Sequence, residues 1–209
     1  GIRAMLSSFK YLSDIDVGDR AAIARLRRSI AGGRRWIDAA PYVLPFVPEK
    51  EKTHSSNQLE KAFIDRNLRP YFVVAGLYGT YDPRYRQGSR IDVVDEINQD
   101  KPPPTSKRAY GAGNIGYVMR RLKRDREDDA MTRRFLTLLA SNTEELPIRL
   151  RQVVTLAKSH KPPVDIDFEQ LFNDIRRWNS ESQHVQLRWA SSYFQQDESD
   201  SQKPKKEEE

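Results

Sequence analysis

Cysteine is absent from this sequence and histidine is scarce, with His54, His160 and His184 the only three. Missing thiols exclude a disulfide framework, a cysteine nucleophile and zinc sites of the cysteine-rich kinds. The three histidines stand far apart, and no two have the spacing of metal ligands. The sequence therefore predicts no metal, no cofactor and no catalytic residue, and we expect a protein that is not an enzyme.

Long apolar runs are also lacking. The longest runs from Tyr71 to Tyr81 and is too short to span a bilayer. There is no charged-then-apolar start of the secretory kind. We therefore expect a cytoplasmic protein without membrane contact. Residues 1–4, which precede Met5, are expected to be a remnant outside the fold.

Positive charge is what the sequence has in excess. It holds 36 lysines and arginines against 30 acids, and 24 of the basic residues are arginine. Residues 197–209 contain six acids and three lysines, so the rest of the chain has a net charge of +9 rather than +6. A planar guanidinium forks onto phosphate oxygens, which makes nucleic acid the first partner to test. The alternative is a basic surface that only keeps the protein in solution.

The apolar residues recur at helical spacing. Asp19 is predicted to cap a helix with Ile23, Leu26 and Ile30 on one face. A second helix is predicted from about Asn57 to Tyr78, interrupted or restarted at Pro70. Its part over 71–78 is apolar on every side, which suits a buried strand or a buried helix, and its length with the polar lead-in from Leu59 favours the helix. Short helical turns are predicted over 36–48. Further helices are predicted from Ile115, from Met131 to Leu139, from Leu146 to Ala157, after a cap at Asp167, and from about Glu181 to Gln195 with Ser180 and Gln183 in capping-box spacing.

These elements predict an all-α protein of two packed helical subdomains. The N-terminal helical subdomain covers 5–112 and ends in a long, flexible, basic loop at 80–112, where proline and glycine are frequent. The C-terminal helical bundle covers 113–196. The remaining residues, 197–209, are predicted to form a disordered, charged tail.

Two motifs suggest other chemistry. Asp165 and Asp167 have the spacing of a metal-binding pair, as a metal-dependent nuclease would need, but helix capping explains Asp167 better.

The spacing of the glycines at 111, 113 and 116 is similar to that of a glycine-rich phosphate-binding loop. They lack its lysine and its strand-to-helix setting, so the sequence does not predict such a loop.

Pairs of basic residues recur on separate predicted helices. Neighbours on a helix diverge by about 100°, so one member can lie at the edge of the apolar stripe while the other points outward. Converging edges would form a groove that binds phosphates with strong salt dependence and little base specificity. The alternative is a structural adaptor whose arginines serve ion pairs and acidic protein partners. The predicted nucleic-acid-binding residues are Arg27, Arg28, Arg120, Arg121, Lys123, Arg134, Arg149, Arg151, Arg176, Arg177 and Arg188.

Three stretches, in this order, resemble the CasB family, the small subunit of the type I-E CRISPR surveillance complex (Cascade). They are LRRS at 26–29 with PYVLPF at 41–46, RFLTLL at 134–139 with RLRQ at 149–152, and RW at 177–178 with HVQLRWA at 184–190. The basic residues that match the family pattern are Arg27, Arg28, Arg120, Arg134, Arg151 and Arg188. The match at Arg120 is the weakest, because Met119 occupies the position where the family has glycine.

The resemblance implies a set of partners. It implies a helical protein that packs beside a second copy of itself and beside the backbone and large subunits of Cascade. There it would contact the guide RNA, the target DNA and the displaced non-target strand. Such a protein would stabilise the R-loop without cutting nucleic acid.

Overall fold

Helices form the regular structure in the described part of the chain, which is residues 1–12, 19–30, 35–52, 67–81, 113–123 and 128–195 of a computed structural model. These residues contain no strand, so the all-α prediction is confirmed. The helices are α1 Ile2–Leu12, α2 Arg20–Ser29, α3 Arg35–Val43, α4 Glu49–Lys52, α5 Arg69–Tyr81, α6 Ile115–Arg121, α7 Asp129–Leu139, α8 Leu146–Ser159, α9 Phe168–Arg176 and α10 His184–Phe194, with a 3-10 turn at Leu44–Phe46.

Helix α5 is the centre of the fold. Every residue from Pro70 to Tyr81 is buried, because α2 covers one side of the helix and α8 and α9 cover the other. A helix rather than a strand is thus confirmed for this apolar run. The prediction that a loop begins at residue 80 is wrong for Thr80 and Tyr81, which form the last turn of α5, and the Thr80 hydroxyl donates to the Gly76 carbonyl. Residues 57–66, the first part of the predicted helix, and residues 82–112 lie outside the described residues.

Helices α2 and α5 approach each other closely. A Cβ atom at Gly79 would lie 2.9 Å from the Arg27 amide nitrogen, and one at Gly76 would lie 2.9 Å from the Ile30 amide nitrogen. The Ser29 hydroxyl, at the end of α2, lies 2.9 Å from the Phe72 carbonyl of α5. The contact therefore depends on small side chains on both helices.

The predicted helix caps are confirmed at two positions. The Asp19 carboxylate accepts hydrogen bonds from the amides of Ala21 and Ala22, and the Asp167 carboxylate accepts one from the Gln170 amide. Each satisfies amide groups that have no partner within the helix.

The capping box predicted for the last helix is wrong. Helix α10 begins at His184, and Gln183 before it has a left-handed backbone, with φ of 47°, and makes no side-chain cap. The Ser180 hydroxyl instead lies 2.8 Å from the hydroxyl of Ser182. A turn therefore occupies residues 181 and 182, where the helix was expected to start.

The start of the chain also differs from the prediction. Residues 2–4 lie within α1, and the Arg3 guanidinium donates to the Glu169 carboxylate at 2.7 Å. Met5 and Phe9, four residues apart, are fully buried. Helix α1 therefore packs against the core. The predicted short turns at 36–48 are instead one nine-residue helix, α3, followed by the 3-10 turn.

The apolar core is continuous across the predicted subdomain boundary. Tyr71 of α5 packs against Phe172 of α9 with ring centroids 4.5 Å apart, and Tyr78 packs against Phe168 at 5.3 Å. Helices from the two predicted subdomains thus bury side chains against each other. The boundary at 112 and the tail at 197–209 stay predictions, since both fall outside the described residues.

A buried polar cluster attaches α4 to this core. Glu51 of α4 is almost fully buried, and its carboxylate lies 3.5 Å from the Arg176 guanidinium at the end of α9. Burial, with the neighbouring Glu51 carboxylate, raises the pKa of Tyr71 to about 12. The tyrosine therefore keeps its proton in the folded state where an unfolded chain would lose it.

Replacing this tyrosine should change stability at alkaline pH. The unfolded chain ionises Tyr71 near pH 10 and the folded chain near pH 12, so the free energy of unfolding should fall as pH rises through this window. Phenylalanine cannot ionise, so in Tyr71→Phe this fall in the free energy of unfolding, roughly 2 kcal/mol, should be absent. Urea unfolding at pH 9 and above checks this. Equal pH dependence in the two proteins would contradict it.

Candidate nucleic-acid interface

Five of the eleven predicted basic residues have partners inside the protein. Two of them donate to backbone carbonyls: the Arg27 Nε to Gly79 at 3.1 Å, and the Arg120 Nη1 to Gln195 at 3.0 Å. The Lys123 ammonium lies over the Tyr193 ring, 4.7 Å from its centroid. These contacts connect separate helices or helix ends, so the three side chains stabilise the fold.

Two further arginines pair with buried carboxylates. Arg176 lies beside Glu51, and Arg188 donates to Asp174, which is 2% exposed. Burial raises the pKa of Asp174, while the hydrogen bonds from the Trp189 indole, at 2.7 Å, and from Arg188 oppose that rise. Arg188 is thus one member of a buried polar network between α9 and α10.

The other six predicted residues are exposed or half-buried and make no ion pair with any residue that the structure describes. They are Arg28, Arg121, Arg134, Arg149, Arg151 and Arg177. Their charges are not neutralised by neighbouring carboxylates in this part of the chain. An external anion can therefore reach these six side chains.

A groove between α7 and α8 brings basic residues together. Its volume is about 310 Å³, and Arg133, Arg134 and Arg149 lie along its rim. The other lining residues are Met119, Ala130, Thr137, Leu138, Gln152, Val153 and Leu156. We call this feature the arginine groove. Because no acidic residue lines it, its rim has a local positive charge that favours anions.

The arginine groove differs from a second depression, between α7 and α10. That depression has a volume of about 740 Å³ and includes the exposed leucines Leu136 and Leu187. Glu181 is its only charged lining residue. Of these two surfaces, only the arginine groove has the charge expected for binding phosphate.

The predicted residues do not all meet at one place. Arg134 and Arg149 share the arginine groove, and Arg133, which was not among the eleven, joins them. The other nine do not line this groove. Arg133 directly precedes Arg134, so the pairing of arginines in the sequence was the signal that could have identified it.

Gly113 and Gly116, two of the three glycines compared with a phosphate-binding loop, have other roles, and Gly111 lies outside the described residues. Gly113 has a positive φ of 93°, which glycine adopts without strain. Asn114 caps α6 by accepting from the Tyr117 amide at 2.9 Å. A Cβ atom at Gly116 would overlap the Trp189 carbonyl oxygen, so this glycine lets α6 lie against α10.

Two negative findings apply to the described residues. They contain no cluster of three or more histidine, aspartate or glutamate side chains that could hold a metal ion. None of their helices is both long and apolar enough to cross a membrane. The carboxylate of Asp167, one of the two aspartates with metal-pair spacing, faces the first turn of α9 as its cap.

Comparison with known proteins gives consistent matches. The family model of CRISPR-associated protein Cse2 matches residues 22–194. The chain is 27% identical over 186 residues to the CRISPR-associated protein Cse2 of Thermus thermophilus, covering 88% of this chain and 85% of that protein.

Solved structures agree with these matches. A crystal structure of CasB from Thermus thermophilus is similar with a TM-score of 0.53 and 26% identity, over 83% of this chain and 85% of that one. A chain of a CRISPR RNA-guided surveillance complex is similar with a TM-score of 0.61 and 21% identity, over 91% of each chain.

Proposed function

The chain belongs to the Cse2 family of CRISPR-associated proteins, and from this premise we propose that it is the non-catalytic small subunit of a type I-E Cascade-like surveillance complex. In that role it binds nucleic-acid backbone without reading sequence, and so stabilises the R-loop. Its nucleic-acid partners are the guide RNA, the target strand and the displaced non-target strand. Its protein partners are the backbone and large subunits and a second copy of itself. The complex acts in the cytoplasm.

The arginine groove is the observation that supports this proposal best. Three guanidinium groups lie around one recess, and no ion pair to a described residue satisfies any of them. Guanidinium groups bind phosphate oxygens in pairs, and such contacts are independent of base identity. Arg28, Arg121, Arg151 and Arg177 extend the exposed positive charge elsewhere on the surface.

The structural-adaptor alternative receives support from a different observation. Arg176 and Arg188 are occupied by Glu51 and Asp174, as that alternative expects of arginines in general. We accordingly assign these two to folding and leave them out of the binding surface. The two functions differ in their affinity for free nucleic acid: phosphate contacts give an affinity that falls steeply with salt, whereas an adaptor has no such affinity.

Neutralising the arginine groove should weaken nucleic-acid binding. The double substitution Arg134→Gln with Arg149→Gln is expected to lower affinity for single-stranded DNA and RNA roughly tenfold at low salt. The slope of log affinity against log salt concentration should become shallower by about 0.7 for each phosphate contact that is lost. Filter binding at a series of salt concentrations measures both quantities.

The matched control is Arg20→Gln with Lys10→Gln, which also removes two positive charges, from exposed residues outside the groove. It should change affinity by less than about twofold. If the control and the double variant bind alike, the arginine groove is not the binding site. If the unmodified chain has no affinity at low salt, the backbone-holding role itself is rejected and the adaptor function is favoured.

A further inference from the structure

The floor of the arginine groove has a chemistry that backbone binding does not require. Met119, Leu138 and Val153 line it, and each is at most 4% exposed, so they belong to the apolar core. A phosphate group needs hydrogen-bond donors and positive charge, both of which the rim arginines supply. An apolar recess beneath them adds nothing to phosphate binding, since burying phosphate against hydrocarbon is unfavourable.

From this combination, and resting on the proposed function, we infer that the arginine groove accepts one unstacked nucleobase of a single strand while its rim holds the adjoining phosphates. A base is apolar on its two faces and polar along its edge. The recess of about 310 Å³ has the size and the mainly apolar lining typical of small-ligand sites. A guanidinium plane on the rim can stack on a base face as an aromatic ring does.

The polar lining residues suit the edge of a base. The Thr137 hydroxyl donates its proton to the Arg133 carbonyl at 2.8 Å, so its oxygen remains available only as an acceptor, for example for an exocyclic amino group. Gln152 is exposed and has both a donor and an acceptor. Together they can meet the edge of more than one base, which is consistent with binding that reads no sequence.

The inference is tested by separating bases from phosphates. A short single strand of natural bases is compared with an abasic strand of the same length, which keeps every phosphate and loses every base. At equal salt, the full chain should bind the natural strand roughly fivefold or more tightly than the abasic strand. DNA and RNA forms of both strands show which backbone the site accepts.

A variant that fills the recess completes the test. Ala130 lines the groove, lies in the first turn of α7 and is exposed, so Ala130→Leu adds volume there without entering the core. It should lower affinity for the natural strand to that for the abasic strand and leave abasic binding unchanged. Ala21→Leu, at an exposed alanine outside the groove, is the matched control and should change neither.

The outcomes distinguish this inference from the proposed function. Equal affinity for the two strands, or an Ala130→Leu variant that weakens both equally, overturns the base site and leaves phosphate binding in place. In contrast, a double Arg134→Gln and Arg149→Gln variant that binds both strands normally overturns phosphate binding at the groove.

Discussion

Gly116→Ala is expected to destabilise the protein by at least about 3 kcal/mol, because the added Cβ has no room. It would overlap the Trp189 carbonyl oxygen and lie 2.7 Å from the carbonyl carbon, and these are backbone atoms of α10 that cannot rotate away. Helices α6 and α10 must separate to admit it. This separation would strain the hydrogen bond, 2.8 Å long, that the side-chain amide of Asn114 donates to the Ser192 hydroxyl. Thermal or urea unfolding measures the loss.

A graded series of glycine substitutions controls this prediction. Gly79→Ala and Gly76→Ala meet α2 at 2.9 Å and should be destabilising, but less so than Gly116→Ala. Gly1→Ala has nothing within 4 Å and should be neutral. A Gly116→Ala protein as stable as the parent would show that α6 and α10 do not lie as close as the structure has them.

Removing the buried carboxylate between α9 and α10 is expected to have an effect of similar size. Asp174→Ala should cost about 3 to 5 kcal/mol, because it leaves the Arg188 cation and the Trp189 indole without their acceptor. Arg188 has no second acidic partner among the described residues, and its Nε is already buried without a hydrogen bond. Denaturant unfolding of the variant gives the loss directly.

A double-mutant cycle shows whether the ion pair is the cause. Arg188→Met alone leaves an unpaired carboxylate, whereas the double variant leaves no unpaired charge. The double variant should therefore be more stable than the sum of the single losses predicts, by at least about 1 kcal/mol. Glu169→Ala, which removes the exposed pair with Arg3, is the matched control and should cost less than about 1 kcal/mol. Additive losses at Asp174 and Arg188 would contradict the assignment.

Much of the fold could be predicted because it depends on local patterns. The helix over 71–78 and the caps at Asp19 and Asp167 follow from spacing and from residues at most three positions apart. Helix α1 follows the same rules, since Met5 and Phe9 are one helical turn apart. It was not predicted, because residues 2–4 were set outside the fold and the eight that remain, 5–12, form only about two turns.

The candidate site could be predicted less completely, because the sequence does not show which arginines are already occupied. Arg27 bonds to a carbonyl 52 residues away, and Arg120 to one 75 residues away. Arg188 meets Asp174 only because α9 and α10 fold against each other. Pairs of this kind depend on tertiary packing, so composition and helical phase identified the basic residues but not the division between structural and accessible ones.

The position of α5 in the chain has a consequence for synthesis. Helices α8 and α9 cover one side of α5 and end at Ser159 and Arg176. Arg176 lies about 95 residues beyond Tyr81, where α5 ends. At translation rates of about 5 to 20 residues per second, the end of α9 is synthesised roughly 5 to 20 seconds after the end of α5. During that interval the uncovered apolar side of α5 is prone to aggregation, so we expect a chaperone that binds nascent chains to raise the yield of folded protein.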